Sequence, residues 1–271
     1  LLTALGFLSS SLFAQDYLVS TPNTSLLIKA TPGETVKIQY YGSKIENSDI
    51  QGIYDAGMVF NADSYPAFGL QTMGEKAIAA TQPDGNMSLD LKIEQVKQYP
   101  TKDGEVTEIL LKDKVYPFEI KQYYKAYQGT DIISTWIEIM NNGKKSVTLY
   151  RFVSAYLPVQ RGDNWLTHFH GHWGAENMLE EEKLTNGQKV ISNKDGMVNT
   201  ETDNPSFMLS IDGKPQEEYG HILGGTLAWT GNYLLKMDIT NTKLNIIAGI
   251  NEENSHYKLE SKETFKTPEF A

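Results

Sequence analysis

Short runs in which apolar and polar residues alternate recur along the chain. Ser25-Leu26-Leu27-Ile28-Lys29, Thr35-Val36-Lys37-Ile38-Gln39-Tyr40-Tyr41, Ser88-Leu89-Asp90-Leu91-Lys92-Ile93 and Thr107-Glu108-Ile109-Leu110-Leu111-Lys112-Asp113 are examples, and residues 118–127 and 132–139 continue in kind. Successive side chains on a strand point to opposite faces, so this period of two predicts strands with a buried side. In residues 132–139 it puts Ile133, Thr135, Ile137 and Ile139 on one face. Pro32-Gly33, Pro83-Asp84-Gly85-Asn86, Lys102-Asp103-Gly104, Asn141-Asn142-Gly143, Thr185-Asn186-Gly187 and Asp212-Gly213 lie between such runs and supply the residues that tight turns need. No stretch of about twelve residues carries an apolar stripe at helical spacing, and the best helical candidate, 176–184, is short and acidic. The pattern predicts an all-β, antiparallel sandwich of two packed sheets with helices incidental. No linker divides it, and longer loops are expected at 43–75 and 158–206, where a scaffold carries function.

The first fourteen residues break the pattern. Leu1-Leu2-Thr3-Ala4-Leu5-Gly6-Phe7-Leu8 continues through Ser9-Ser10-Ser11-Leu12-Phe13-Ala14 and turns polar at Gln15-Asp16, as a signal-peptide core with a small residue at its cleavage point does. As a helix it would reach about 21 Å, short of a hydrocarbon core of roughly 30 Å, so no membrane span is expected. Lacking an initiating Met and a basic start, residues 1–14 are read as a signal-peptide remnant before a mature domain at 15–271, and the protein as exported, periplasmic or extracellular. A net charge of −10 argues against nucleic acid and anionic lipid as partners. With no cysteine, disulfides, thiolate nucleophiles and Cys-ligated metals are excluded. The 15 Tyr and 4 Trp suit stacking against sugar rings, and equally suit a large β core.

His168-Phe169-His170-Gly171-His172 places three imidazoles at alternate positions, roughly 6.5 to 7 Å apart along a strand face. Two such histidines can ligate zinc if a carboxylate, Asp163 or Glu176, joins them; the competing reading is a polar strand end. Glu180-Glu181-Glu182 reads as a solvated turn, and Arg161-Gly162-Asp163 matches an adhesion tripeptide that recurs by chance. With 34 acidic residues, sequence cannot select a glycosidase carboxylate pair. Nucleophile-elbow, P-loop and dinucleotide fingerprints are missing. The expectation is no metal and no cofactor.

Several segments, in order, resemble the N-terminal domain of glycoside hydrolase family 36, the α-galactosidases. Tyr65-Pro66-Ala67-Phe68-Gly69 and Gly74-Glu75-Lys76-Ala77-Ile78 are similar to the family's "YPxYG…xEPAL", with Asp84-Gly85-Asn86 at its "DG" hairpin. Gly171-His172-Trp173-Gly174-Ala175-Glu176 resembles "GaWxRE", and Asn204-Pro205-Ser206-Phe207-Met208-Leu209 resembles "NPFfaL". Leu227-Ala228-Trp229-Thr230-Gly231-Asn232-Tyr233, Ala248-Gly249-Ile250-Asn251 and Glu263-Thr264-Phe265-Lys266-Thr267-Pro268-Glu269 resemble "LxYSGNF", "GIN" and "ExFxTPE". The family's "GxxDFR" arrives as Gly69-Leu70-Gln71-Thr72-Met73-Gly74, without its charges.

The resemblance implies a galactose-mutarotase-like β-supersandwich followed by a (β/α)₈ barrel that carries both catalytic Asp residues, so this chain would hold none, ending at Ala271 before the barrel. It implies a retaining α-galactosidase as the parent, with a covalent galactosyl intermediate, and a homo-oligomer in which a loop lent by this domain reaches the sugar pocket. Asp49 or Asp55 is expected in that sugar-contacting loop, and His172 and Trp173 at a second sugar contact. Tyr65, Phe68, Phe169 and Trp173 are expected to face the barrel. The alternatives are a free-standing carbohydrate-binding module and a zinc enzyme built on the histidine triplet.

Overall fold

A computed structural model describes residues 14–69, 74–197, 203–253 and 255–271. Residues 1–13, most of the segment read as a signal-peptide remnant, and 70–73, where the family's charged motif is altered, lie outside them. The chain opens with β1 (Gln15–Ser20), β2 (Thr24–Ala30), β3 (Lys37–Ser43) and β4 (Ala62–Asp63), an antiparallel sheet in that order. Between β3 and β4 a short 3₁₀ turn runs into the six-residue helix α1 (Ile50–Asp55). After β5 (Ile78–Thr81) come β6 (Leu91–Thr101), β7 (Gly104–Asp113), β8 (Phe118–Tyr127) and β9 (Ile133–Asn141), a meander. Its two-residue turn Lys102-Asp103 closes on the pair Thr101 and Gly104. The 13-residue strand β10 (Val147–Val159) leads to the hairpin β11 (Trp165–His172) and β12 (Ala175–Lys183), then to β13 (Gly187–Ser192). β14 (Asp203–Ser210), β15 (Ile222–Thr226), β16 (Tyr233–Ile239), β17 (Leu244–Ile250), β18 (Tyr257–Leu259) and β19 (Thr264–Lys266) complete the described chain.

The fold is all-β and antiparallel, as the alternating pattern implies, and its strands divide among four sheets rather than two. The sheets enclose two cores, and β10 and β17 belong to both. Along β17, Ile247 points into the first core while Leu244, Ile246 and Ala248 point into the second. On β10, Val147, Leu149, Phe152, Val153 and Tyr156 serve the first core, and Ala155 and Val159 the second. A register shift between Val153 and Ala155 lets one strand change allegiance along its length.

The C-terminal segment ties the two halves together. Phe270 exchanges backbone hydrogen bonds with Thr135 of β9, while Ala271 exchanges them with Thr226 of β15. The Phe270 ring lies in the second core, stacked on Phe207 with centroids 6.3 Å apart. Thr267 is buried, and its Oγ1 accepts the Ile137 amide at 3.0 Å.

Three local expectations are corrected. Residues 176–183 lie in β12, because a hairpin ladder with β11 outweighs the weak helical propensity of a short acidic run. Glu180-Glu181-Glu182 is therefore mid-strand, not a turn, and the described residues of 158–206 are largely strand rather than loop.

Candidate functional site

The ladder of β11 with β12 sets side chains facing one another. Glu180 lies opposite His168, Met178 opposite His170, and Glu182 opposite Leu166. Leu166, His168 and His170 share the face turned toward the second core, so Glu180 and Glu182 join them there. Phe169 and Leu179 pair on the opposite face. The hairpin turns through Trp173-Gly174, which the pair His172 and Ala175 closes, with Gly174 at φ +81°. His172 Nδ1 donates to the Trp173 carbonyl at 3.0 Å, and Gly174 N–H donates to Glu176 Oε1 at 2.9 Å. That amide holds the Glu176 carboxyl below its ordinary range. Trp173 at the tip is 82% exposed, and Met178 and Leu179 behind it are exposed as well.

A polar cluster forms where this face meets the core. His168 is 3% exposed, with its Nε2 3.8 Å from Glu180 Oε2 and 3.6 Å from Glu182 Oε1. His170 Nε2 lies 3.3 Å from the same Glu180 oxygen, and Lys189 of β13 pairs with Glu182 Oε1. Burial pushes the His168 imidazole below its ordinary range, and Lys189 adds to that against the opposing pull of Glu180, Asp203 and Glu182. Burial pushes the Asp203 carboxyl up, while the two histidines and Lys189 oppose it.

The histidine triplet does not gather as three. His168 and His170 converge, their rings 6.2 Å apart, whereas His172 is spent on the turn. Register shifts on both sides of β11 break the strict alternation that spacing assumed. Glu176 caps the turn, where it feels the charge of His172, and Asp163 pairs with Lys183 at 2.7 Å; neither belongs to the group that His168 forms with Glu180 and Glu182.

The other predicted residues lie elsewhere. Asp49 Oδ2 accepts the Glu46 amide at 2.8 Å ahead of α1, and Asp55 Oδ1 accepts from Gln51 at 2.7 Å. Both are exposed on the loop between β3 and β4, which Tyr54 fastens to β1 by donating to Asp16 at 2.7 Å. Tyr65 is corrected from interface to core: it is buried, and its hydroxyl donates to the Val153 carbonyl at 2.9 Å. Phe68 is 44% exposed and Phe169 half-buried. A cleft of about 550 Å³ opens beside the C-terminal segment, lined by Asp103, Tyr127, Ile132, Thr226, Glu269 and Ala271 among others.

Sequence reasoning missed Arg151. Its guanidinium binds Glu252 through two nitrogens and Glu75 at 2.5 Å, and Glu75 also takes Gln188 at 2.7 Å and Lys236 at 3.4 Å. The available signal was that Arg151, one of two arginines, interrupts an apolar strand between Tyr150 and Phe152.

The family model of the glycosyl hydrolase family 36 N-terminal domain matches residues 34–260. The chain belongs to this family. Among curated relatives of this family 36 domain is an α-galactosidase of Lactobacillus acidophilus, Mel36A, 26% identical in an alignment of 278 positions that covers 90% of this chain and 38% of the relative. Another, α-galactosidase AgaA of Geobacillus stearothermophilus, is 24% identical over 76% of this chain and 30% of its own length. The AgaA crystal structure superposes with a TM-score of 0.85 at 20% identity, covering 94% of this chain and 40% of that one. The galactosidase domain of an α-galactosidase-sucrose kinase gives 0.83 at 23%, with the same coverage. The family 36 domain thus spans about two-fifths or less of the proteins it matches.

Proposed function

We propose that this chain is the non-catalytic N-terminal domain of an exported α-galactosidase that hydrolyses terminal α-galactosides with retention. It packs on a (β/α)₈ barrel, supports an oligomer, and presents loops toward the sugar pocket. The observation that carries the reading is the family match over 34–260 together with α-galactosidase relatives more than twice as long. Export rests on the apolar opening of the sequence.

The chemistry of the cleft supports a non-catalytic role. A retaining glycosidase needs one carboxyl kept protonated and one ionised close by. Asp103 and Glu269 line the cleft, but Lys125 binds Asp103 at 2.8 Å and holds its carboxyl below the usual range, the reverse of what a proton donor requires. Glu269 lies 3.4 Å from Lys266. The exposed rings of Trp173 and Phe68, from the segments that resemble family motifs, are the parts we assign to the barrel.

The 271-residue chain should therefore leave an aryl α-galactoside intact, and Asp103→Asn should change nothing. Turnover that co-purifies with the protein overturns the reading. The exposed Trp173 also suits a carbohydrate-binding module, which calorimetry with galactosides distinguishes: the proposal expects no heat of binding without the barrel, and saturable binding lost in Trp173→Ala favours the module.

A further inference from the structure

We propose that His168, Glu180 and Glu182 form a binding site for one divalent cation of the zinc class, with His170 completing it. Their ligand atoms all lie within 4.8 Å of one another. The two separations from His168 Nε2 are 3.6 and 3.8 Å. Donors 2.0–2.2 Å from a tetrahedral zinc stand about 3.4 Å apart, so small side-chain rotations close the site. Mixed imidazole and carboxylate donors select zinc, cobalt or manganese over the all-oxygen preference of calcium and magnesium.

A second observation points to a ligand independently of the acidic groups. His168 is 3% exposed, and neither of its ring nitrogens has a hydrogen-bond partner among the described residues. Buried imidazoles are ordinarily satisfied, because an orphaned polar atom costs its full desolvation. The orphaned Nε2 is the atom that faces both carboxylates. His170 Nε2, 3.3 Å from Glu180, stands where it supports that carboxylate or supplies a fourth donor.

Lys189 shows that the cluster already attracts a cation. Its ammonium pairs with Glu182 Oε1, the oxygen the metal would use, so the two compete. The lysine sits on β13, whereas His168, His170, Glu180 and Glu182 come from one hairpin. Metal would therefore cross-link β11 to β12, stiffen the arm that carries Trp173, and release Lys189.

The test uses the full 271-residue chain after chelator treatment, with zinc followed by calorimetry and cobalt by visible absorption. We expect one equivalent bound with a Kd of about 10 µM or tighter, intense low-coordinate cobalt bands, and a Tm rise of roughly 5–10 °C at a hundredfold excess over Kd. Glu180→Gln, an isosteric change at a half-buried side chain that should not disturb folding, weakens binding at least tenfold, and His168→Ala abolishes it. Lys189→Gln tightens it. His172→Ala and His221→Ala leave it unchanged. The proposal fails if no stoichiometric metal binds, if Glu180→Gln or His168→Ala binds like the parent, if Lys189→Gln weakens binding, or if His172→Ala or His221→Ala removes it.

Discussion

Replacing Arg151 with Met should lower the stability of this domain by about 2–3 kcal/mol and its Tm by roughly 5–10 °C. The guanidinium joins Glu75, ahead of β5, to Glu252, just after β17, and the three side chains are only 20–30% exposed. Met fills much of the space but leaves two carboxylates facing one another with Lys236 as the nearby cation. Stranding partly buried charge costs more than the original pair contributed, which is why removing one partner is the severe change. Glu75→Gln and Glu252→Gln added to Arg151→Met should recover part of the loss. A triple variant no more stable than Arg151→Met would show that the cost is packing, not charge.

The same network fixes a pH dependence. Burial pushes the Glu75 carboxyl up, but hydrogen bonds from Gln188 and Arg151 and the charges of Lys236 and Arg151 outweigh it, so the net shift is downward. A carboxyl depressed in the folded state contributes stability above its unfolded value, about 4.3, and loses that contribution as pH falls through the folded value. The gap between the parent and Arg151→Met should be widest near neutrality and narrow as pH drops below 4. Urea midpoints at several pH values measure it.

What was legible in the sequence was local. Phe118–Tyr127 and Ile133–Asn141 follow from alternation alone, because each strand buries a continuous face. In 133–139 the predicted face holds: Ile137 and Ile139 are fully buried and Ile133 packs against the same core. The family-like motifs were legible too, and the structure gives several of them a packing reason. Tyr65 ties its loop to β10, Thr267 locks the last segment onto β9, and Asn251 is buried with its amide donating to the carbonyls of Asn193 and Tyr233. Such residues mark a fold without marking a binding surface, which is why Tyr65 misled as an interface residue.

The rest depends on long-range register. Glu75 and Glu252 lie 76 and 101 residues from Arg151, so no window contains the network. The partners of His168 are set by a hairpin ladder through 175–183, nearly all of it in a stretch that was the best helical candidate. α1 is six residues long, too short to show a stripe, and it is held by Tyr54 rather than by a buried face of its own.

Gly249→Ala should destabilise the domain by about 2–3 kcal/mol, although it adds only one methyl group. Gly249 is buried in β17 opposite Val153, beside the register shift where β10 passes from one core to the other. A Cβ there would stand 2.8 Å from Val153 Cα and 3.1 Å from Ser154 N, and both atoms are backbone. Backbone that carries ladder bonds cannot yield as a side-chain tip does, so the strands must part and two cores loosen together. This gives the glycine of Ala248-Gly249-Ile250-Asn251 a physical reason. Gly224 of β15 is the matched control: it is exposed, and an added Cβ meets nothing within 4 Å. Gly224→Ala should be neutral or raise stability by a few tenths of a kcal/mol, because the unfolded chain loses freedom that the folded strand never used. Thermal melts of the two variants side by side decide the matter. Equal effects would mean that β10 and β17 are not packed backbone to backbone at Gly249; a loss confined to Gly249→Ala places a backbone-to-backbone contact where the two cores meet.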